Sequence, residues 1–459
     1  MKHFHSWVYL LKVRATEFVR VKASYLVANY YLLLYFLFCF SKKKALTFLL
    51  CARRAYPLPI AQKIIKARLG DVAALGQGEA QWFPWSRMII LKYPTFHQNG
   101  STVERGVVLI KFTETFLPFL QSLKVAEISK YFRLVLEPSW SGYALESILA
   151  WTNKNFGKIL VCCPESDDFN FIGYLQSNLA PIKIGASDWV DDRIFFPVEA
   201  VKDYDSIYVA NYNPIKRLHR YFKAIARVAK PNYKGAIVCS SWGGGRKSIL
   251  ELIDYYKIQS RITVFEDLDQ KEINGLLNKS KVNLLLSYKE GANKSLFEAF
   301  FSGVPGIALK NNIGVNKDHI NAETGCLIDD SELEEKLNWF VDHWKEFNAS
   351  GWARENISPP VTTKKLEGIL QRMAAADGEV WTEPVKVKVN CPEASYYDHA
   401  NYDIQKFYSE SFCHIFSIKR EADVVAELQE LRKRWDMEMI DMNSRVEDSS
   451  AEDGRVENK

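Results

Sequence analysis

Two carboxylates eight residues apart, Glu290 and Glu298, sit in the stretch VNLLLSYKEGANKSLFEAFFSGVPGIAL, residues 282–309. The apolar run Val282 to Leu286 is short enough for a buried strand, and Ser287 to Gly291 is the polar turn that releases it into a helix predicted from about Asn293 to Phe301. Ser302-Gly303 stops that helix and Val304-Pro305 opens a further apolar run. Strand, loop, helix and strand in this order make a βαβ unit, whose ligand lies at the carboxyl ends of the strands and at the helix N-terminus. Eight residues of helix rise about 12 Å, the reach from a sugar to a ribose across a diphosphate. An ionised carboxylate only accepts hydrogen bonds, so each Glu suits the adjacent hydroxyls of a sugar or ribose ring. Between them, Gly291, Ala292 and Asn293 would complete the binding of such a donor, with the first two amides turned toward an anion. The bland alternative pairs Glu298 with Lys294 one helical turn earlier and leaves Glu290 as a solvated loop charge.

EGANKSLFEAFFSGVP resembles the E-x7-E signature of the retaining GT-B glycosyltransferases of glycosyltransferase family 4, group 1. That resemblance implies that Glu290 serves the donor sugar as a catalytic residue and that Glu298 binds the ribose. Upstream, strand Ile207 to Ala210 passes through NYNPIKR into an amphipathic helix. Lys216 and Arg217 stand near the helix start, where cations oppose the helix dipole unless an anion lies between them. The family usually carries Gly-Arg followed five residues later by Lys here. Lys216 matches the Lys, whereas Ala210-Asn211 replace Gly-Arg. Gly243 and Gly244, in the loop SWGGGRK, allow close backbone approach to an anion, and Arg246 is placed to supply the missing cation. Phe265-Glu266 falls where the family meets the nucleotide base, and HINAETGCLI resembles its closing strand.

These loops need sheets to hold them. From Arg87, the runs RMIILKYP, GVVLIKFTETF, FRLVLEPSW, KILVCCPES and PIKIGASDWV have strand length and are separated by helical stretches, which predicts a first open parallel sheet. His97, Glu137 and Trp140 stand at its strand ends and are therefore expected to face the cleft, His97 as a catalytic aid, Glu137 and Trp140 on the acceptor side. The blander readings are a surface loop for His97 and a helix cap for Glu137. Ile184 to Pro197 resembles the segment with which the family leaves its first domain.

The expected fold class is α/β: GT-B, two Rossmann-like doubly wound domains facing across a cleft, with an N-terminal basic and apolar helical arm. Its divisions are residues 1–85, a membrane-associating arm; 86–200, the acceptor domain; 201–375, the nucleotide-sugar domain; and 376–459, an appendage with a helix and an acidic tail. The net charge of +5 hides an asymmetry, since residues 1–70 alone carry +12, with Glu17 as their one acid. Within them Ala23 to Ser41 is uncharged and would form a helix of about 28 Å. Lys42, Lys43, Lys44, Arg53 and Arg54 follow, which suits an anionic membrane surface whether the helix spans the bilayer, lies on it or packs on the protein. Basic residues around an apolar stretch, rather than along a polar groove, exclude nucleic acid as a partner.

The eight Cys form no CxxC pair, and the His show no HxxxH or HExxH spacing, so no metal site is expected and the thiols read as reduced. The implied reaction moves a glycosyl group from a nucleotide-diphospho sugar to the hydroxyl of a glycan or lipid-linked glycan, with retention, no cofactor and no obligatory metal, at the cytoplasmic face of a membrane. Two alternatives remain: a nucleotide-sugar epimerase of the same fold and a catalytically silent GT-B module that binds glycan or scaffolds an assembly.

Overall fold

The computed structural model describes residues 4–453 except 79, 81–82, 241–244, 292, 391–393, 398–401 and 421–422. Helices come first: α1 (Phe4–Glu17), a π-turn at Phe18–Lys22, α2 (Ser24–Leu37), α3 (Lys42–Ala55) and α4 (Pro59–Ala67). The long apolar segment thus ends at Leu37, and α2 turns back onto α3 as a helical hairpin. No helix among the described residues is long and apolar enough to cross a membrane.

The first 85 residues do not form a separate arm. Tyr9, Leu10 and Val13 of α1 enter the core of the second domain, whereas Ala28, Leu46, Leu49, Ala61 and Ile65 of the next three helices enter the core of the first. Both sets follow the three- and four-residue spacing of a buried helix face. The other flank of α2 stays apolar and exposed, with Leu26 68%, Tyr30 58%, Leu33 54% and Leu37 58% exposed.

The first sheet is five-stranded and consecutive in order: β1 (Met88–Lys92), β2 (Gly106–Lys111), β3 (Phe132–Glu137), β4 (Ile159–Cys162) and β5 (Leu179–Ile182). β2 to β5 are parallel and buried almost throughout, but β1 runs antiparallel to β2. With no reversal of strand order here, successive right-handed crossovers stack on one face, and other parts of the chain must cover the second face and the β1 edge. The C-terminal segment contributes to that cover. Tyr396 and Gln405 bond the carbonyls of Ile90 and Met88, and Tyr408, Phe412, Phe416 and Trp435 join the first core. The expected appendage is therefore part of the first domain. The helix Pro359–Ala376 also returns to this core, through Leu366 and Leu370.

The second sheet comprises β6 (Ser206–Asn211), β7 (Gly235–Ser240), β8 (Ile262–Glu266), β9 (Asn283–Leu285), β10 (Gly306–Leu309) and β11 (Gly325–Ile328). All are parallel, in the spatial order β8-β7-β6-β9-β10-β11. This is the doubly wound Rossmann order, with its reversal between β6 and β9. Separate apolar clusters fill its two faces. Two Rossmann-like sheets facing across a cleft make the GT-B architecture.

Candidate active site

In an open parallel sheet the crevice for a ligand lies beyond the strand ends where the strand order reverses. Here the two loops at that point are Tyr212–Arg217 after β6 and Leu286–Asn293 after β9. The first is shaped by Asn213, whose side chain accepts from Ile215 N before the short 3-10 turn Pro214–Lys216. The second ends where Asn293 caps the helix Lys294–Phe301, accepting from Leu296 N at 3.0 Å.

Lys216 and Glu290 meet across this point. Lys216 Nζ lies 2.7 Å from Glu290 Oε1, which also accepts from Ser287 Oγ at 2.5 Å. Both side chains are largely buried. They border a cleft of about 1300 Å³ between the domains, closed from the first domain by Thr113, Glu114, Ser139 and Trp140. Phe112, at the end of β2, holds φ 71° against the cleft, a left-handed conformation uncommon for an aromatic residue.

Glu298, on the first turns of its helix, is buried, and its carboxylate has no hydrogen-bond or ion-pair partner among the described residues. Burial pushes its pKa up, opposed by the charge of Lys294. The Lys294 pair of the bland alternative is absent, because Lys294 Nζ bonds the carbonyl of Asn390 instead. A buried acceptor without a donor is costly, and adjacent hydroxyls of a ligand would satisfy it.

Gly291 also has a packing task. A Cβ there would fall 1.6 Å from the carbonyl oxygen of Ser139, so only glycine lets the two domains close to this distance. Ser141 Oγ then donates to the Glu290 carbonyl at 2.7 Å, tying the acceptor-side loop to the donor-side loop.

Other sequence-predicted residues are engaged elsewhere. Arg217 has φ 56°, which turns its side chain out of the cleft and into the protein. Its Nε bonds Glu17 at 2.6 Å, Nη1 the Leu286 carbonyl at 2.9 Å, and Nη2 both Tyr288 Oη and Asp330, so four of its five N–H donors are engaged inside the protein and away from the cleft. Arg246 bonds Glu266 through Nε at 2.8 Å, Glu266 also accepts from Tyr212 Oη, and the guanidinium stays 61% exposed. His97 lies in an exposed hairpin turn at the opposite edge, because antiparallel β1 ends where β2 begins. Glu137 is at the cleft end of β3 but buried, bonded to Lys388 Nζ at 2.7 Å and to Asn390, which anchors the C-terminal segment and leaves the carboxylate nothing for an acceptor. Asn293 is occupied as a cap. Phe265 is half-buried, edge-on to Tyr204 at 6.0 Å. Trp140 is 44% exposed and lines the cleft. Gly243, Gly244 and Ala292 lie outside the described residues.

Sequence reasoning missed the cations of the cleft. Lys12 of α1, Arg20 of the π-turn, Arg54 of α3 and Lys289 all line it. Lys289 was legible as the neighbour of Glu290. The others belong to the N-terminal helices, whose course over the cleft depends on packing far away in the sequence. Among the described residues no group of three or more His, Cys, Asp or Glu is arranged to hold a metal.

Residues 191–350 match the family model described as Glycosyl transferases group 1. They resemble a group 1 glycosyltransferase domain. No curated protein matches the chain. Among solved structures, the pneumococcal O-GlcNAc transferase GtfA, in complex with UDP and GlcNAc, is similar at 17% identity and a TM-score of 0.42, over 54% of each chain. Sucrose-phosphate synthase from Thermosynechococcus elongatus is similar at 16% identity and a TM-score of 0.46, over 59% of this chain and 74% of that one. HepE of Anabaena, in complex with UDP and glucose, has 15% identity and a TM-score of 0.46, over 57% and 77%. The chain spans about half the length of GtfA. The group 1 match begins at the end of the first domain and takes in β6 to β11, so Lys216, Glu290 and Glu298 all lie inside it.

Proposed function

We propose that the chain is a retaining glycosyltransferase that moves a sugar from a nucleotide-diphospho sugar to the hydroxyl of a glycan or lipid-linked glycan. The observation that carries this reading is the Lys216–Glu290 pair at the reversal point of the second sheet, with the unpartnered carboxylate of Glu298 buried one helix turn beyond. When the bond from the sugar to the diphosphate breaks, its electron pair goes to the diphosphate. Lys216, with three N–H donors, can hold that charge while keeping Glu290. Glu290 orients the donor sugar, and Glu298 receives the ribose hydroxyls. Trp140 gives the acceptor ring an apolar platform from the other domain.

The reading includes a place at the cytoplasmic face of a membrane, supported by the exposed apolar flank of α2 beside Lys42, Lys43 and Lys44. The test of activity is a panel of UDP-, GDP- and ADP-sugars scored for nucleotide release and for the anomeric configuration of the product. Release of one nucleotide with a retained anomer supports the proposal. Epimerised donor without transfer favours the epimerase, and no turnover of any donor favours a silent module.

A further inference from the structure

Three of the cations over the cleft face no paired anion among the described residues. Arg20, Arg54 and Lys289 come from three separate elements, and none has an ion-pair partner among the described residues. They converge around Gly142, whose φ is +90° and whose missing Cβ would lie 2.9 Å from Lys289 Nζ and 3.8 Å from Arg54 Cγ. The nearby acids are already engaged. Asp167 is bonded by both guanidinium nitrogens of Arg53, and Asp168 accepts from the amides of Gly142 and Tyr143 at 2.7 Å. Lys289 is half-buried, and its pKa is pushed down by burial and by Arg20 and Arg54, with Asp168 opposing. Like charges gathered this way, one of them desolvated, repel one another unless an anion sits among them.

A second cavity, of about 480 Å³, opens behind the same residues, and Arg20, Arg54, Gly142 and Lys289 line both spaces. Its other walls are largely apolar: Val19 and Val21 of the π-turn, Val27 and Tyr31 of α2, Ala55 and Ile313. Ser24, Val27 and Tyr31 share one face of α2, next to the exposed apolar flank. The site therefore has a polar reaction space, a cationic collar and an apolar pocket in sequence.

We infer that the acceptor is an amphiphile, with a phosphate group held by Arg20, Arg54 and Lys289 and a hydrocarbon chain in the pocket behind them, so that its sugar hydroxyl projects into the cleft. This rests on the glycosyl-transfer reading for what happens in the cleft, but the binding it requires needs no donor. The N-terminal helices then form the acceptor site itself, which accounts for their docking on both domains.

The test is calorimetric titration of the full chain with dodecyl phosphate below its critical micelle concentration. The comparison ligands are hexyl phosphate, inorganic phosphate, neutral dodecyl glucoside and phosphatidylglycerol vesicles. Dodecyl phosphate is expected to bind one to one, tighter than hexyl phosphate by a large factor, since each methylene buried is worth roughly fourfold. Arg54→Ala and Lys289→Met should each weaken it about tenfold. Val27→Glu should abolish the advantage of the longer chain while leaving inorganic phosphate unchanged. Arg54 is exposed, so its variant keeps the fold. Equal affinity for inorganic phosphate would mean a free-phosphate site, and equal affinity for dodecyl glucoside a merely apolar one. Binding to vesicles but not to the monomer would mean a membrane surface. Any of these overturns the inference. A failure of the nucleotide-sugar panel with dodecyl phosphate binding intact would instead overturn the transferase reading.

Discussion

Glu290 and Glu298 occur in one helical motif yet stand in opposite electrostatic situations. Glu290 is compensated by Lys216, whereas Glu298 is buried without a donor among the described residues. Glu290→Ala is therefore expected to lower turnover with little change in donor affinity. Glu298→Ala should weaken donor binding by about 1.5–3 kcal/mol, the usual worth of hydrogen bonds to a charged group. Steady-state kinetics separate the two, and unchanged parameters in both variants would return the pair to the surface-charge alternative. Lys216→Ala should cost on the order of 3 kcal/mol of transition-state stabilisation. Arg217→Met, one residue along, should leave activity per folded molecule intact but lower stability by about 3–5 kcal/mol, because Glu17 loses its arginine partner and Asp330 keeps only Arg220. Denaturant melts and assays on the same samples check both. Adjacent residues with such different fates show the limit of motif reading. The position of Lys216 was legible from its spacing, but the positive φ that buries Arg217 was not. Glu137 was legible as a strand-end carboxylate, while Lys388, more than two hundred residues later, decides that it is consumed.

The elements that hold these residues tie the two ends of the chain into the two domains. The α1 helix is fixed to the second domain by its apolar face and by Glu17, which bonds Arg217 and lies 3.6 Å from His219 Nε2. Burial, with Arg217 and Arg220, pushes the His219 pKa down to about 3, Glu17 being already engaged and Asp330 opposing only in part. The folded pKa is depressed below the unfolded value of about 6.5, so the stability this neutral histidine contributes is present above pH 6.5 and is lost as pH falls toward 3. Between pH 7 and pH 5 the loss is about 2 kcal/mol. The melting temperature of His219→Asn should fall less over that interval than that of the unsubstituted chain, and parallel declines would assign the effect elsewhere. Membrane association is tested on the outer flank of α2, since removing residues 1–70 would uncover both cores. Leu26→Asp with Leu33→Asp should abolish flotation with anionic vesicles without changing the fold. Strand periodicity made both sheets readable, but not the antiparallel β1 that carries His97 away from the cleft.

At the scale of the whole molecule, function depends on how closely the domains face each other. Gly291 sets that distance. Gly291→Ala places a methyl group on the Ser139 carbonyl and must push the domains apart, so the radius of gyration from small-angle scattering should rise and turnover should fall together. An unchanged radius with full activity would mean that the contact relaxes at no cost. The alternation of strands and helices made the parallel α/β character of the second sheet readable but not its strand order, and the closure between domains came from loops whose sequence shows only small polar residues. The central claim is that the loops after β6 and β9 hold a nucleotide diphosphate with its ribose at Glu298. It is tested most directly by melting the full chain and its Glu298→Ala variant with UDP, GDP and ADP. One nucleotide should raise the melting temperature of the unsubstituted chain by several degrees, about 2.7 kcal/mol at a hundredfold excess over Kd, and the shift should shrink in the variant. No shift with any of the three, or the same shift in both proteins, would contradict the account.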